Sequence, residues 1–269
     1  MLAYKAIEFV KRDLRIQASY KFAFMLELFS SIFPIISFYF VSKLIRKDGA
    51  ESLGQYGGDY FPFVMVGVAL TQYFLIALRT FADTLRRSQM TGCLEAILST
   101  RTSPRIVILC SSLYGFFMKT FHIILVFVLG SVLLGVSLGK ANFLSAILLL
   151  LATIATFSSL GIFSASLILI LKRGDPIEWI FGSLCVLFGG AFFPIEVMPD
   201  WMQRIASLLP ITYALDGMRL AVLQGHTISM LSTQFVVLSG MAVVLLPLSV
   251  WSFTRAVEKS RRDGSLLHY

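Results

Sequence analysis

Lys119 and His122 are ionisable side chains in the middle of a long apolar run, residues 106–138, where a charge could bind an anion. Spaced three residues apart, they share one face of a helix. A cation at the bilayer centre costs about 2.5–3.5 kcal/mol on insertion scales, so it should face a bundle, a partner or a polar cavity. One hypothesis is that the pair lines a path for an anionic headgroup or sugar phosphate. The alternative is that the helix projects from the bilayer, or that Lys119 pairs with Glu27.

Other motifs give no sign of catalysis by this chain. The sequence has no Gly-x-x-x-x-Gly-Lys-Ser/Thr phosphate loop, no His-Glu-x-x-His metal pair and no Gly-x-Ser-x-Gly nucleophile turn. His226 and His268 stand alone in polar surroundings, and Cys93, Cys110 and Cys185 lack metal-ligand spacing. We therefore expect neither an ATPase nor a hydrolase, and no metal or cofactor bound by the chain itself.

The composition is that of an integral membrane protein. Of the 269 residues, 57% are hydrophobic and 14% charged, whereas soluble domains average about 45–50% and about 25%. The net charge of +8 comes from Lys and Arg in short clusters between apolar runs. Such clusters are typical of membrane orientation, and we expect no nucleic-acid binding.

The apolar runs predict an all-α polytopic fold with about six transmembrane helices in one transmembrane domain, residues 1–269. An amphipathic N-terminal stretch, residues 1–20, predicts an interfacial helix, with a cytosolic tail that folds against a partner as the alternative. The third run is longer than the roughly 30 Å hydrocarbon layer requires, and the fifth has the bare minimum length. The predicted spans are residues 22–45, 60–82, 106–138, 143–171, 177–193 and 231–253.

The distribution of Lys and Arg predicts which side each loop faces. Basic residues are more numerous in residues 1–20, in the segment 83–105, at 172–173 and in the tail 255–269 than in the remaining loops. The positive-inside rule then places both termini and the segment 83–105 in the cytoplasm. The stretch 192–225 is expected on the outer side.

The stretch 192–225 predicts two short amphipathic helices. Trp201, Ile205 and Leu208 recur on one face, Pro210 ends that helix, and the second helix stops at Gly225. Asp216 and Arg219, three residues apart, are expected to pair. Each helix is too short to span a bilayer, so the stretch is either a re-entrant gate or an interfacial loop that closes off the bundle.

The segment 83–105 predicts a short helix, residues 94–99, between Gly92 and the Ser103-Pro104 stop. The apolar stripe of this helix would be Leu94, Ile97 and Leu98, beside Glu95 and basic flanks. This pattern is typical of a docking helix for a soluble partner, although a loop lying on lipid headgroups would fit it equally.

Three motifs together resemble the membrane permease of type-2 ATP-binding cassette exporters. They are Thr91-Gly92-x-Leu94-Glu95-x-x-Leu98-x-Thr100 with Ser103-Pro104, Phe193-Pro194-x-Glu196-x-x-Pro199-x-Trp201, and Leu209-Pro210-x-Thr212-Tyr213-Ala214-x-x-x-Met218-Arg219. Their order matches the family over nearly the whole chain.

The resemblance implies roles for the two segments. It implies that 83–105 is the coupling segment that docks an ATPase subunit, through Gly92, Leu94, Glu95 and Leu98. It implies that 192–225 is an outer re-entrant pair, whose gate residues are Phe193, Pro194, Glu196, Pro199, Pro210 and Tyr213.

The resemblance also implies partners and a location. Two permease copies work with two ATPase subunits that bind ATP and Mg, in contact with membrane lipids of a bacterial or archaeal cytoplasmic membrane. The expected function is export of a lipid, lipid-linked glycan or amphipathic drug.

Two other function classes fit the residues less well. An ion- or proton-coupled transporter working alone should carry more buried carboxylates than Glu27, with broken helices near the midplane. A membrane scaffold without transport is the other class. Co-purification of a Walker-motif ATPase would discriminate the first interpretation from both.

Overall fold

The computed structural model describes residues 7–12, 14–15, 21–44, 51–90, 104–137, 139–171 and 176–262, and every regular element in these ranges is helical. The predicted all-α polytopic fold is confirmed. The main helices in chain order are α1 (Lys21–Leu44), α2 (Tyr60–Met90), α3 (Pro104–Leu134), α4 (Phe143–Leu171), α5 (Pro176–Phe188), α6 (Asp200–Ala206), α7 (Pro210–Arg219) and α8 (Ser232–Arg262).

Several sequence-predicted residues lie outside the described part of the chain. These include the proposed coupling residues Gly92, Leu94, Glu95 and Leu98, together with Lys172, Arg173 and the last residues of the tail. The backbone of α1 is described at Glu27, but its side chain is not.

Four helices within the described ranges are long and apolar enough to cross a bilayer, or five if the bent pair α6 and α7 counts as one span. They are Tyr60–Arg86, Ser112–Val132, Phe143–Leu171 and Ser232–Ser260, and they match the predicted second, third, fourth and sixth spans. Two further apolar helices, Phe33–Leu44 within α1 and Ile177–Phe188, are shorter than these four.

The predicted fifth span, residues 177–193, is shorter in the structure. Helix α5 ends at Phe188 after 13 residues, which extends about 20 Å and falls short of the roughly 30 Å hydrocarbon layer. Gly190 follows with a φ of 74°, a left-handed conformation that terminates helices and favours glycine. The apolar residues after Phe188 therefore belong to the loop that leads into the re-entrant pair.

Helix α2 is the centre of the bundle. Within its spanning stretch 78% of residues are buried, against 17% for α8. It packs on α4 through the rings of Phe74 and Phe157, whose centroids are 4.3 Å apart. It contacts α3 through the hydroxyls of Tyr73 and Thr120, 3.3 Å apart. A movement of α2 would therefore displace most of the helices of the bundle.

Helices α6 and α7, which the sequence predicts to be a re-entrant pair, meet at a bend of 89°. Pro210 begins α7, so the prediction that it ends the preceding helix is corrected: α6 already stops at Ala206. At the first position of a helix proline lacks only an N–H that has no intrahelical acceptor. After α7 the chain makes a π-helical turn, Leu220–Gln224, that ends at Gly225 with a φ of 75°. The predicted stop at Gly225 is confirmed.

Candidate functional site

The corner between α6 and α7 is held by hydroxyl groups. Thr212 donates from Oγ1 to the Ala206 carbonyl at 2.7 Å, and the Tyr213 hydroxyl donates to the Ser207 carbonyl at 2.9 Å. Both acceptors lie at the end of α6, whose last carbonyls have no intrahelical donor. These bonds make the two short helices one bent unit.

Arg219 fastens this unit to the bundle. Its side chain is 3% exposed; Nε donates to the Phe63 carbonyl at 3.2 Å, and Nη2 donates to the Ala191 carbonyl at 2.9 Å. The guanidinium carbon also lies 3.5 Å from the centroid of the Phe63 ring, a cation–π contact. A buried charge is tolerated only when its donors are satisfied. Arg219 thus joins α7 to the first turn of α2 and to the loop after α5.

Gly67 makes this arrangement possible. A Cβ at this position would collide with the Ala191 carbonyl and with Nη2 of Arg219. Because Gly67 has none, the loop after α5 lies directly against α2. The close approach sets the position of the acceptor that Arg219 uses.

Asp216 has its own partners in the same region. Its two carboxylate oxygens accept hydrogen bonds from the Tyr56 hydroxyl and from Nε2 of Gln234, each at 2.7 Å. The expected direct pairing of Asp216 with Arg219 is therefore wrong. Asp216 is hydrogen-bonded to the loop 51–56 and to α8, whereas Arg219 is hydrogen-bonded to α2 and to the loop after α5. Burial, with Asp216 next in importance, raises the pKa of the Tyr56 hydroxyl, which keeps it protonated as the donor.

The predicted gate residues occupy the same end of the bundle but differ in exposure. Pro194 and Pro210 are buried, Tyr213 is half-buried, and Phe193, Glu196 and Pro199 are exposed. Glu196 accepts a hydrogen bond from Nε2 of Gln55 at 3.0 Å. Gln55 and Tyr56 both belong to a short 3-10 helix, Glu51–Tyr56, so the loop between α1 and α2 contacts the stretch 192–225 at two points.

Lys119 and His122 lie apart from this cluster, inside the apolar stretch Ser112–Val132 of α3. Lys119 is half-buried and His122 is 3% exposed. Nδ1 of His122 lies 2.7 Å from the Met118 carbonyl oxygen and donates to it, whereas its buried Nε2 has no hydrogen-bond partner in the described part of the chain. The pair therefore lies within the part of α3 that is long and apolar enough to cross a bilayer.

An ion pair links α2 and α5 near the opposite end of the bundle. Nε of Arg79 donates to a carboxylate oxygen of Glu178. Glu178 lies in the first turn of α5, and Arg79 lies shortly before the segment 83–105. The sequence contains both charges, but their separation of 99 positions gave no signal that they meet.

Two comparisons with known proteins bear on this arrangement. Over 114 residues the chain is 33% identical to the Bacillus subtilis (strain 168) protein YhgE, an uncharacterized protein. The match covers 42% of this chain and 13% of YhgE. The family model of the ABC-2 type transporter matches residues 8–223, which include the re-entrant pair with Asp216 and Arg219. The chain therefore belongs to the ABC-2 type transporter family.

Proposed function

We propose that this chain is the permease subunit of an ATP-driven exporter for a lipid, lipid-linked glycan or amphipathic drug. The observation that carries the proposal is the re-entrant pair, held across one end of the bundle by Arg219. A bent element of this kind, fastened at its base and exposing Phe193 and Trp201, suits a gate. ATP and Mg are bound by a partner ATPase subunit, and two permease copies enclose the path.

Helix α2 is suited to couple the two ends. Its 31 residues extend about 46 Å. Its last residues, 83–90, already belong to the predicted coupling segment 83–105, and its other end carries the Phe63 carbonyl that accepts from Arg219. Tilting of α2 by a docked ATPase would move the base of the gate as a rigid body. The proposed docking contacts are Gly92, Leu94, Glu95 and Leu98.

The gate residues fall into two groups in this proposal. Buried Pro210 begins α7 at the bend, Tyr213 braces the bend through its bond to Ser207, and buried Pro194 precedes the 3-10 turn Ile195–Val197. Exposed Phe193, Glu196 and Pro199 face the outer side of the path. The link from Gln55 to Glu196 would have to open if the loop 51–56 and the re-entrant pair separate during export.

Lys119 and His122 are proposed to line the path. The support is the unpartnered Nε2 of His122 within a spanning stretch, because a buried polar atom without a partner is a place for a polar group of a substrate. Unchanged substrate-stimulated ATPase activity and unchanged transport in Lys119→Leu would contradict this role.

The chain is proposed to lie in a bacterial or archaeal cytoplasmic membrane with both termini in the cytoplasm. The support is the excess of Lys and Arg in the segments assigned to that side. Labelling of Thr227→Cys, an exposed position beyond the re-entrant pair, with a membrane-impermeant thiol reagent in whole cells tests the orientation.

Co-purification tests the function itself. The tagged chain, extracted in mild detergent, should bring down a Walker-motif ATPase in roughly equal amount. The variant Glu95→Lys should lose ATPase coupling but still insert into the membrane. Consistent absence of an ATPase would instead favour a transporter that works alone or a scaffold.

A further inference from the structure

A groove runs along the membrane-facing side of α4 and α8. It has a volume of about 500 Å³ and is lined by Ala152, Ala155, Ser239, Ala242, Val243, Leu246 and Pro247. The small side chains form its floor, where Ala152 and Ala242 are buried, and Val243 stands exposed at its rim. Apart from the Ser239 hydroxyl, the side chains that line the groove are purely aliphatic.

The groove is held open by bonds between the same two helices. Thr156 donates from Oγ1 to the Leu238 carbonyl of α8 at 2.9 Å, beside the floor. Ser260 donates to the Leu169 carbonyl at 3.4 Å near the far end of the pair. The helices are therefore fixed at both levels and cannot simply close over the space. An empty groove would forfeit dispersion contacts along its walls, so a flexible apolar chain should fill it.

A cation lies beyond one end of the groove. The guanidinium carbon of Arg255 lies 5.5 Å from the centroid of the Trp251 ring, and Lys259, one turn further along α8, is exposed. Glu258 lies three residues from Arg255 and is exposed, but the two side chains form no ion pair within the described part of the chain. Trp251 is 57% exposed, and a tryptophan at this level is typical of the interface between hydrocarbon and headgroups.

The distances along α8 fit a phospholipid. From Arg255 the groove begins about 12 Å away, at Pro247, and ends about 24 Å away, at Ser239. With Arg255 in the headgroup layer, which adds about 5–7 Å on each side, the groove begins in the nearer half of the roughly 30 Å hydrocarbon layer and ends a few ångströms past its midplane. An acyl chain attached to a headgroup at Arg255 would pass Trp251 and enter the groove.

We propose that this surface is a binding site for an anionic phospholipid, with the headgroup phosphate on Arg255 and one acyl chain in the groove between α4 and α8. The proposal does not depend on the transport function. The positive charge of Arg255 favours an anionic lipid over a zwitterionic one. The groove favours a lipid whose acyl chain is long enough to fill it.

The test uses the purified full chain in mild detergent, with any subunits that remain attached. Palmitoyl-oleoyl phosphatidylglycerol and palmitoyl-oleoyl phosphatidylcholine are titrated, and bound lipid is counted by native mass spectrometry. Phosphatidylglycerol should bind about fivefold more tightly, as expected for one cation near a membrane surface, and Arg255→Gln should abolish this preference. Lys43→Gln is the matched control, because Lys43 also lies over an aromatic ring, that of Tyr39, but away from the groove.

Two substitutions test the acyl-chain part. Ala155→Leu and Ser239→Leu each fill the groove from a different helix, and either should weaken the binding of both lipids while the preference for phosphatidylglycerol remains. Full competition by glycerol phosphate would show that only the headgroup is bound and would overturn the groove assignment.

Other results would also overturn the proposal. Equal affinity for the two lipids in the unmodified chain would reduce the site to ordinary lipid contact. Efficient cross-linking of Val243→Cys between two copies in vesicles would show that a second copy covers the groove in place of lipid.

Discussion

Arg219 contacts the first turn of α2, and Arg79 lies in the second half of that helix; the two arginines differ in burial and in the partners that hold them. Arg219 is 3% exposed and donates to two backbone carbonyls. Arg79 has a side chain that is 53% exposed and pairs with Glu178. A buried arginine with fixed acceptors is hard to release, because removal leaves polar groups unpaired. An exposed ion pair contributes only about 0–1 kcal/mol. The first contact suits a permanent joint, and the second suits one that breaks and re-forms during a transport cycle.

The largest effect should come from Arg219→Leu. It removes the donors to Phe63 and Ala191 and the stacking on the Phe63 ring, and we expect a loss of about 3 kcal/mol or more in unfolding free energy. Arg219→Lys should recover only part, because an ammonium group cannot reach both carbonyls as the planar guanidinium does. Thermal unfolding in detergent measures both. Stability equal to that of the unmodified chain in Arg219→Leu would show that the joint is not permanent.

Gly67→Ala should have the next largest effect. The added Cβ meets the Ala191 carbonyl and Arg219, so the loop after α5 must move, at a cost of about 1–3 kcal/mol. Gly240→Ala is the matched control in a helix, since a Cβ there has no neighbour within 4 Å. We expect the control to be neutral or slightly stabilising. Equal melting temperatures for the two variants would contradict the close approach.

Tyr56→Phe should have an intermediate effect. It deletes the donor to Asp216 while keeping the ring, and we expect about 1–2 kcal/mol of destabilisation because the carboxylate is half-buried. Tyr213→Phe removes the hydroxyl that donates to the Ser207 carbonyl from a more exposed ring and serves as the comparison for the loss of a hydroxyl. A larger loss of stability in Tyr213→Phe than in Tyr56→Phe would contradict this order. It would show that the hydrogen bond within the bend contributes more than the hydrogen bond from the loop 51–56.

The smallest effect on stability should follow Arg79→Gln, less than about 1 kcal/mol. If the pair belongs to the coupling cycle, this variant should nevertheless lower the transport obtained per ATP hydrolysed in the assembled complex. The exchange Arg79→Glu with Glu178→Arg should restore part of that transport, and a double-mutant cycle isolates the pair from other effects. Normal coupling in both single variants would assign the pair to folding alone.

The sequence predicts the helices well because its apolar runs are long and its turns carry Gly and Pro. It misplaces the end of α5, because Ala191 and Phe192 continue the apolar run beyond the glycines that stop the helix. The spacing of Asp216 and Arg219 predicts a local pair, but burial favours the partner that satisfies each group most completely. Tyr56 was not predicted at all, because its partner Asp216 lies 160 positions away and no periodicity reports such a contact.

The joint at Arg219 also has a consequence for how the chain is assembled during synthesis. Both of its acceptors, the carbonyls of Phe63 and Ala191, leave the ribosome before Arg219 does, since synthesis proceeds from the N-terminus. The order of synthesis therefore lets the guanidinium meet acceptors that have already been made. Gln234, the donor to Asp216, is synthesised afterwards with α8. The chain is thus made in an order in which the contacts of Arg219 can form before the hydrogen bond between Gln234 and Asp216.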